Sequence, residues 1–376
     1  MSASTVPPLP LELHLHILRL AYPSRPEDDH QHRRRDLLWC SLVSEAWKEL
    51  AEPLLWYSLT LRSNLLIDWL TKVPEHLRHF IRHVVFRGGK TASALFRTSR
   101  FRTAFRLLPE LESVVVIGAF KLDSTKPLLL SDLECLSNLR SLSIGSALFL
   151  DPRASLPRLS TLHLSNVYFE HDLSGILTPS AFPALSQLSL GDIADPGLHH
   201  VQLEQLAQQL DILQVDLVVA LVHDAIFQVP FRRVLLVVEE DDLEYGDLDP
   251  AFSPTSPHPP RYLLVNTSYP PNYCFLQPVF DLPQRPKALF LPSSPPCPPF
   301  PTSDYADVGP SPQTEAHHFS SLVSSERERG LFLERCEQAG IEVRYCRPVP
   351  EDHCKFGGTE FREYVDEQKG REEQRT

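Results

Sequence analysis

A short leucine pattern returns along the middle of the chain and restricts what it can fold into more than any other feature. Its clearest copies, of the form L-x-x-L-x-x-L-x-L, occupy residues 136–144, 156–164 and 182–190, with weaker copies at 108–116 and 210–215. Equivalent positions follow one another after 28, 20, 26 and 25 residues, from Leu111 to Leu139, Leu159, Leu185 and Leu210. Units of this length are too short to form domains singly, so the pattern predicts stacked repeats.

The end of each copy predicts a short strand whose alternate side chains point to one core. A single unit cannot bury its apolar side, and neighbours must therefore cover it. The spacing favours leucine-rich repeats, while ordinary βα units with leucine-rich strands remain the alternative. Further elements are predicted as strands at Phe231–Val238, Arg261–Val265 and Lys287–Leu291, a helix at Glu326–Ala339 and a last strand at Ile341–Cys346.

The N-terminal part predicts three short helices. The first spans Pro10–Ala21, since proline is favoured at a helix start. A polar insertion at 23–35 follows, and the second helix begins near Asp36 as its N-cap. The third begins near Ser44 and carries an apolar stripe at positions i, i+3, i+4, i+7 and i+8, formed by Trp47, Leu50, Ala51, Leu54 and Leu55.

Residues 9–56 resemble an F-box. The matching segments are Leu9-Pro10-x-Glu12-Leu13 with Ile17-Leu18, and Leu37-Leu38-x-Cys40-x-Leu42-Val43-Ser44-x-Ala46-Trp47. The resemblance implies that these helices dock on the Skp-type adaptor protein of a cullin–RING ubiquitin ligase, and that the rest of the chain binds an unknown substrate protein. The adaptor contacts that it implies are Leu9, Pro10, Glu12, Leu13, Ile17, Leu18, Leu42, Val43 and Trp47.

The first helix also favours docking on grounds of burial alone. Leu13 and Ile17 lie on one apolar stripe, whereas Leu11, Leu15 and Leu18 lie on another. A helix that is apolar on two faces must be covered on both, and three short helices cover one of them. A partner would cover the other. The alternative is a protein-interaction scaffold outside any ligase, in which these helices cap the repeats.

Net charge, cysteine spacing and the motifs present argue against several classes of function. The net charge of −12, with one tight basic run at 33–35, argues against nucleic-acid binding. The seven cysteines never form a C-x-x-C pair, and no nucleotide-binding or catalytic motif occurs, so we expect no enzyme activity, cofactor or metal. Neither a signal peptide nor a membrane span is expected, which predicts a cytoplasmic or nuclear protein.

The predicted fold class is an α+β/α/β repeat: a small three-helix F-box at 1–62 followed by an irregular leucine-rich-repeat solenoid at 63–349. Eighteen of the 35 prolines lie within 250–312 and predict loops there. The acidic run at 239–249 is expected to be a solvated loop. Residues 350–376 are predicted to form a charged flexible tail.

Overall fold

The structure is a computed structural model. It describes residues 13, 16, 18, 30–62, 64–87, 98–117, 130–145, 154–165, 176–191, 193, 200–222, 224–239, 251–252, 256–266, 273, 276–292, 327–346 and 358–373.

Its strands belong to one 11-stranded sheet, in which strand order follows chain order. Every strand pairing that the structure gives is parallel. The architecture is therefore an α/β fold built on a single parallel sheet. The predicted fold class, a three-helix F-box followed by an irregular leucine-rich-repeat solenoid, is wrong. A periodic leucine pattern specifies parallel strands at intervals, but the architecture also depends on what packs against the second face of those strands.

The chain divides into two compact units, Met1–Leu159 and Ser160–Thr376. The strands of the first unit are β1 (Ser58–Leu61), β2 (His83–Arg87), β3 (Ser113–Ile117) and β4 (Ser141–Gly145). Its helices are α1 (His30–Ser41), α2 (Glu45–Tyr57), α3 (Asn64–Leu70), α4 (Glu75–Arg78) and α5 (Thr98–Leu107), with a 3₁₀ helix at Leu130–Leu133. Leu13, His16 and Leu18 are helical as well.

The strands of the second unit are β5 (Thr161–Ser165), β6 (Gln187–Gly191), β7 (Ile212–Asp216), β8 (Val234–Glu239), β9 (Tyr262–Asn266), β10 (Ala288–Pro292) and β11 (Glu342–Cys346). Its helices are α6 (His200–Gln209), α7 (Leu217–Val222), α8 (327–339) and α9 (Gly358–Glu373). Two 3₁₀ helices lie at Asp224–Gln228 and Gln277–Phe280.

Several local predictions are confirmed by these bounds. The leucine copies end in β3, β4, β5, β6 and β7, and the later predicted strands correspond to β8, β9, β10 and β11. β9 and β10 form inside the proline-rich segment 250–312, where these two strands were predicted between loops. The helix predicted at Glu326–Ala339 corresponds to α8.

Two local predictions are wrong. Residues 30–35 of the predicted polar insertion form the first turns of α1, which ends at Ser41. Residues 358–373 of the predicted flexible tail form α9. Its spacing of Phe361, Tyr364 and Val365 creates an apolar stripe, and all three side chains are buried against the sheet.

Alternate side chains of the strands build the core. Leu162 of β5 and Leu188 of β6 are in register and are both buried. Leu142 of β4 is in register with Val114 of β3, and both are buried. This is the inward position that the leucine pattern predicts.

Within residues 160–376, the second face of the sheet changes character along the strand order. β5 and β6 carry polar side chains there, among them His163 and Ser189, which are in register. β8, β9 and β10 are instead apolar on both faces, as VLLVVE, YLLVN and ALFLP show. Such strands need cover on both sides. The second cover comes from α9, whose buried side chains join those of β8, β9 and β10 in one cluster.

Candidate protein-docking surface

The N-terminal helices pack around a small core of their own. Leu18, Leu37 and Ala51 are fully buried in it. Partly buried apolar side chains pack against these three: Cys40, Trp47, Leu50, Leu54 and Leu55. The inner faces of α1 and α2 therefore pack against each other and against Leu18.

The turn between α1 and α2 is held by backbone and hydroxyl hydrogen bonds. The Leu42 amide donates to the Trp39 carbonyl at 3.1 Å, and the Val43 amide donates to the Cys40 carbonyl at 3.1 Å. Ser44 is the N-cap of α2, because its Oγ accepts a hydrogen bond from the Trp47 amide at 3.3 Å. The turn thus ends α1 and starts α2 within three residues, and Leu42 and Val43 lie in neither helix.

Four apolar side chains at this turn point to solvent. Their exposed fractions are 51% for Leu38, 64% for Trp39, 75% for Leu42 and 70% for Val43. We call these four residues the turn surface. They are four of the nine large hydrophobic side chains that are exposed in the described part of the chain, and they fall within six consecutive positions. Contiguous exposed apolar groups of this kind are typical of protein-binding sites, whereas scattered ones carry no meaning.

The structure divides the adaptor contacts implied by the F-box resemblance into two groups. Leu13, Leu42 and Val43 are exposed, while Leu18 is buried and Trp47 is half-buried in the helical core. Leu18 and Trp47 therefore support the helices from inside. The remaining four lie outside the described residues: Leu9, Pro10, Glu12 and Ile17. The nine contacts stay a prediction.

Sequence reasoning missed Leu38 and Trp39 as surface residues. The signal was present, since a helix that turns Leu37 and Cys40 inward presents the residues between them to solvent. Tryptophan is enriched among the residues that contribute most to binding energy at interfaces, so the exposed Trp39 indicates a binding surface.

An exposed ion pair lies beside the turn surface. On the first turn of α2, Lys48 Nζ and Glu45 Oε1 form an exposed ion pair at 3.0 Å. The hydrogen bond that Lys48 donates to the Glu45 carboxylate raises the pKa of Lys48. Across the described residues, no group of His, Cys, Asp and Glu is arranged to hold a metal ion. The surface is suited to apolar contact with another protein.

An aromatic stack links α2 to the next helix. The rings of Trp56 and Trp69 lie 5.8 Å apart between centroids and are nearly parallel, with an interplanar angle of 9°. Since β1 follows α2 directly and pairs with β2, the helices that carry the turn surface continue into the sheet without a spacer.

None of the described helices has both the length and the apolar character that crossing a membrane demands. No protein-family model matches the chain, and no curated protein matches it.

Proposed function

We propose that the chain is a substrate-recognition adaptor, which docks on a Skp-type adaptor protein through the turn surface and Leu13 and brings a substrate protein to a cullin–RING ubiquitin ligase. It catalyses nothing itself, because ligation belongs to the partner complex. The cytoplasm or the nucleus is its proposed location.

The concentration of exposed apolar side chains in the turn surface carries this proposal. Burying a leucine or valine side chain is favourable by about 1.5–3 kcal/mol, so the three in the turn surface, together with Trp39, form a strong anchor for a partner. The F-box resemblance of residues 9–56 supports an adaptor of the Skp type as that partner.

The scaffold alternative predicts a different environment for these residues. Helices that only cap the sheet would turn their remaining apolar side chains toward it. Trp39 and Leu42 are instead two of the most exposed apolar side chains in the described part of the chain. Their exposure favours the docking function over capping.

The test compares binding of purified chains to a purified Skp-type adaptor by calorimetry. Leu42→Ala with Val43→Ala removes two anchors, and truncation at such sites often costs about 2 kcal/mol or more, which is roughly a 30-fold loss of affinity. Leu331→Ala with Val201→Ala is the matched control, since these side chains are 54% and 60% exposed on other helices. We expect the control pair to bind like the parent.

Equal adaptor affinity of the parent and of the Leu42/Val43 variant would falsify the docking surface. Co-purification from cells gives a second readout, in which a cullin accompanies the parent and the control but not the variant. Binding of no Skp-type adaptor by the folded parent would favour the scaffold function.

A further inference from the structure

The buried apolar side chains that the structure describes in the C-terminal helix α9 all lie in its first half. Phe361, Tyr364 and Val365 occupy positions i, i+3 and i+4 and are buried. From Asp366 onward the sequence is DEQKGREE, and the side chains described there are exposed or half-buried. α9 therefore binds the sheet as a short amphipathic ligand would, with three anchors on one stripe.

The receiving face is formed by the second faces of β8, β9 and β10. The Phe361 ring lies 5.3 Å from the rings of both Tyr262 and Phe290, and the Tyr364 ring lies 5.4 Å from Phe290. Leu235 and Tyr262 are in register across β8 and β9, so their side chains continue the same apolar surface. We call this surface, together with its aromatic side chains, the helix-binding face.

Two charged side chains border the helix-binding face and form ion pairs with the polar half of α9. Arg344 of β11 pairs with Glu367, with 3.2 Å between Nη2 and Oε2, and its guanidinium lies 5.3 Å from the centre of the Tyr364 ring. Asp211, immediately before β7, pairs with Lys369 at 2.5 Å. The charges at its border therefore complement an acidic residue six positions after the first aromatic anchor and a basic residue eight positions after it.

Outside its three buried anchors, α9 is held to the sheet by weak contacts. The ion pairs of Glu367 and Lys369 are partly exposed, so they contribute little and weaken with salt. Gln214, next to Leu235 in register, is buried, and its Nε2 has no hydrogen-bond partner among the described residues. The eleven residues 347–357 join β11 to α9 and span at most roughly 36–40 Å, which is several times the thickness of a helix.

We propose that α9 is a detachable internal ligand, and that the helix-binding face receives an amphipathic helix of the substrate protein in its place. The substrate helix carries aromatic anchors at i and i+3, an aliphatic residue at i+4 and an acidic residue at i+6, as α9 does. This inference rests on the proposed adaptor function for the identity of the partner as a substrate, while the exchange of helices on the face stands independently.

The test uses a fluorescein-labelled synthetic peptide with the sequence of residues 358–376 and measures anisotropy. The full chain with Phe361→Ala and Tyr364→Ala loses its internal competitor. We expect it to bind the peptide at least tenfold more tightly than the parent does, because the parent face is occupied in most molecules. The full chain with Glu363→Ala is the control, since Glu363 is exposed on the same helix, and it should bind like the parent. A peptide carrying both alanine substitutions should bind neither chain.

Hydrogen exchange on the intact parent provides a readout that needs no variant to fold. Amides of α9 should exchange at least a hundredfold faster than those of β9, because the helix opens without the sheet. Equal protection of α9 and β9 would overturn the proposal. So would a folded Phe361/Tyr364 variant that fails to bind the peptide.

Adaptor binding of the same variant separates the two proposals. Phe361 and Tyr364 lie outside the turn surface, so affinity for the Skp-type adaptor should not change. Peptide exchange without any adaptor binding would support the helix-binding face and refute the ligase function. Adaptor binding without peptide exchange would support the ligase function and refute the exchange of helices on the face.

Discussion

His163 should make the stability of the protein depend on pH below about 6.5. Its side chain is 8% exposed on β5, and burial lowers its pKa from the ordinary 6.5 to about 3. The unfolded chain therefore takes up a proton below about pH 6.5, whereas the folded chain keeps His163 neutral. Stability is fully present above that pH and is lost as the pH falls toward 3. At about 1.36 kcal/mol per unit, the loss between pH 7 and pH 5 is about 2 kcal/mol.

The measurement is urea unfolding of the parent and of His163→Gln at pH 7, 6 and 5. Glutamine keeps a polar side chain of similar size and cannot titrate, so the free energy of unfolding of the variant should fall by about 2 kcal/mol less than that of the parent. His76→Gln, at an exposed position, should follow the parent. The reasoning is refuted if the parent and His163→Gln lose the same free energy of unfolding between pH 7 and pH 5.

Three further predictions concern the core and the helix ends. Three leucines point inward from the strands: Leu142, Leu162 and Leu188. Replacing any one of them by alanine should lower the free energy of unfolding in urea by about 2–5 kcal/mol. Parent-like unfolding midpoints would contradict their inward placement. Ser44→Ala removes the cap of α2 and should cost about 1 kcal/mol, which an unchanged unfolding curve would disprove. Gly340 follows α8 with a φ of 71°, so Gly340→Ala should destabilise by about 1 kcal/mol. The control is Gly330→Ala inside α8, where no atom lies within 4 Å of the new Cβ, and it should stabilise the protein. A change of the free energy of unfolding in the same direction at both glycines would contradict the prediction.

The strands from β3 to β11 were predictable because their signal is local, whereas β1 and β2 were not predicted. In β5 and β6 the alternation of leucines with polar residues is visible in the sequence, and Leu162 and Leu188 are buried as it requires. The three anchors of α9 were equally visible, at 361, 364 and 365, but the charged residues around them favoured a solvated tail. Whether three anchors suffice depends on the partner face, which α9 meets on strands more than 60 residues away.

The candidate docking surface was predictable only in part. The F-box resemblance led to Leu13, Leu42 and Val43, which are exposed, and also to Leu18 and Trp47, which are not. An apolar side chain gives the same signal whether it faces its own core or a partner. Only the packing of α1 on α2 separates the two groups.

The amino-acid sequence alone determined which segments from β3 to β11 form strands, because alternation and turn chemistry act over a few residues. The tertiary structure decided which groups meet across the sheet. Arg82 Nη1 pairs with Glu110 Oε2 at 2.6 Å, and the same oxygen accepts from Asn138 Nδ2 at 3.0 Å, over separations of 28 residues each. It also decided the architecture, because the cover on the second face of a parallel sheet comes from distant segments such as α9. Contacts between distant segments depend on the register of the strands and on the directions in which the segments run, and the local pattern of residues specifies neither.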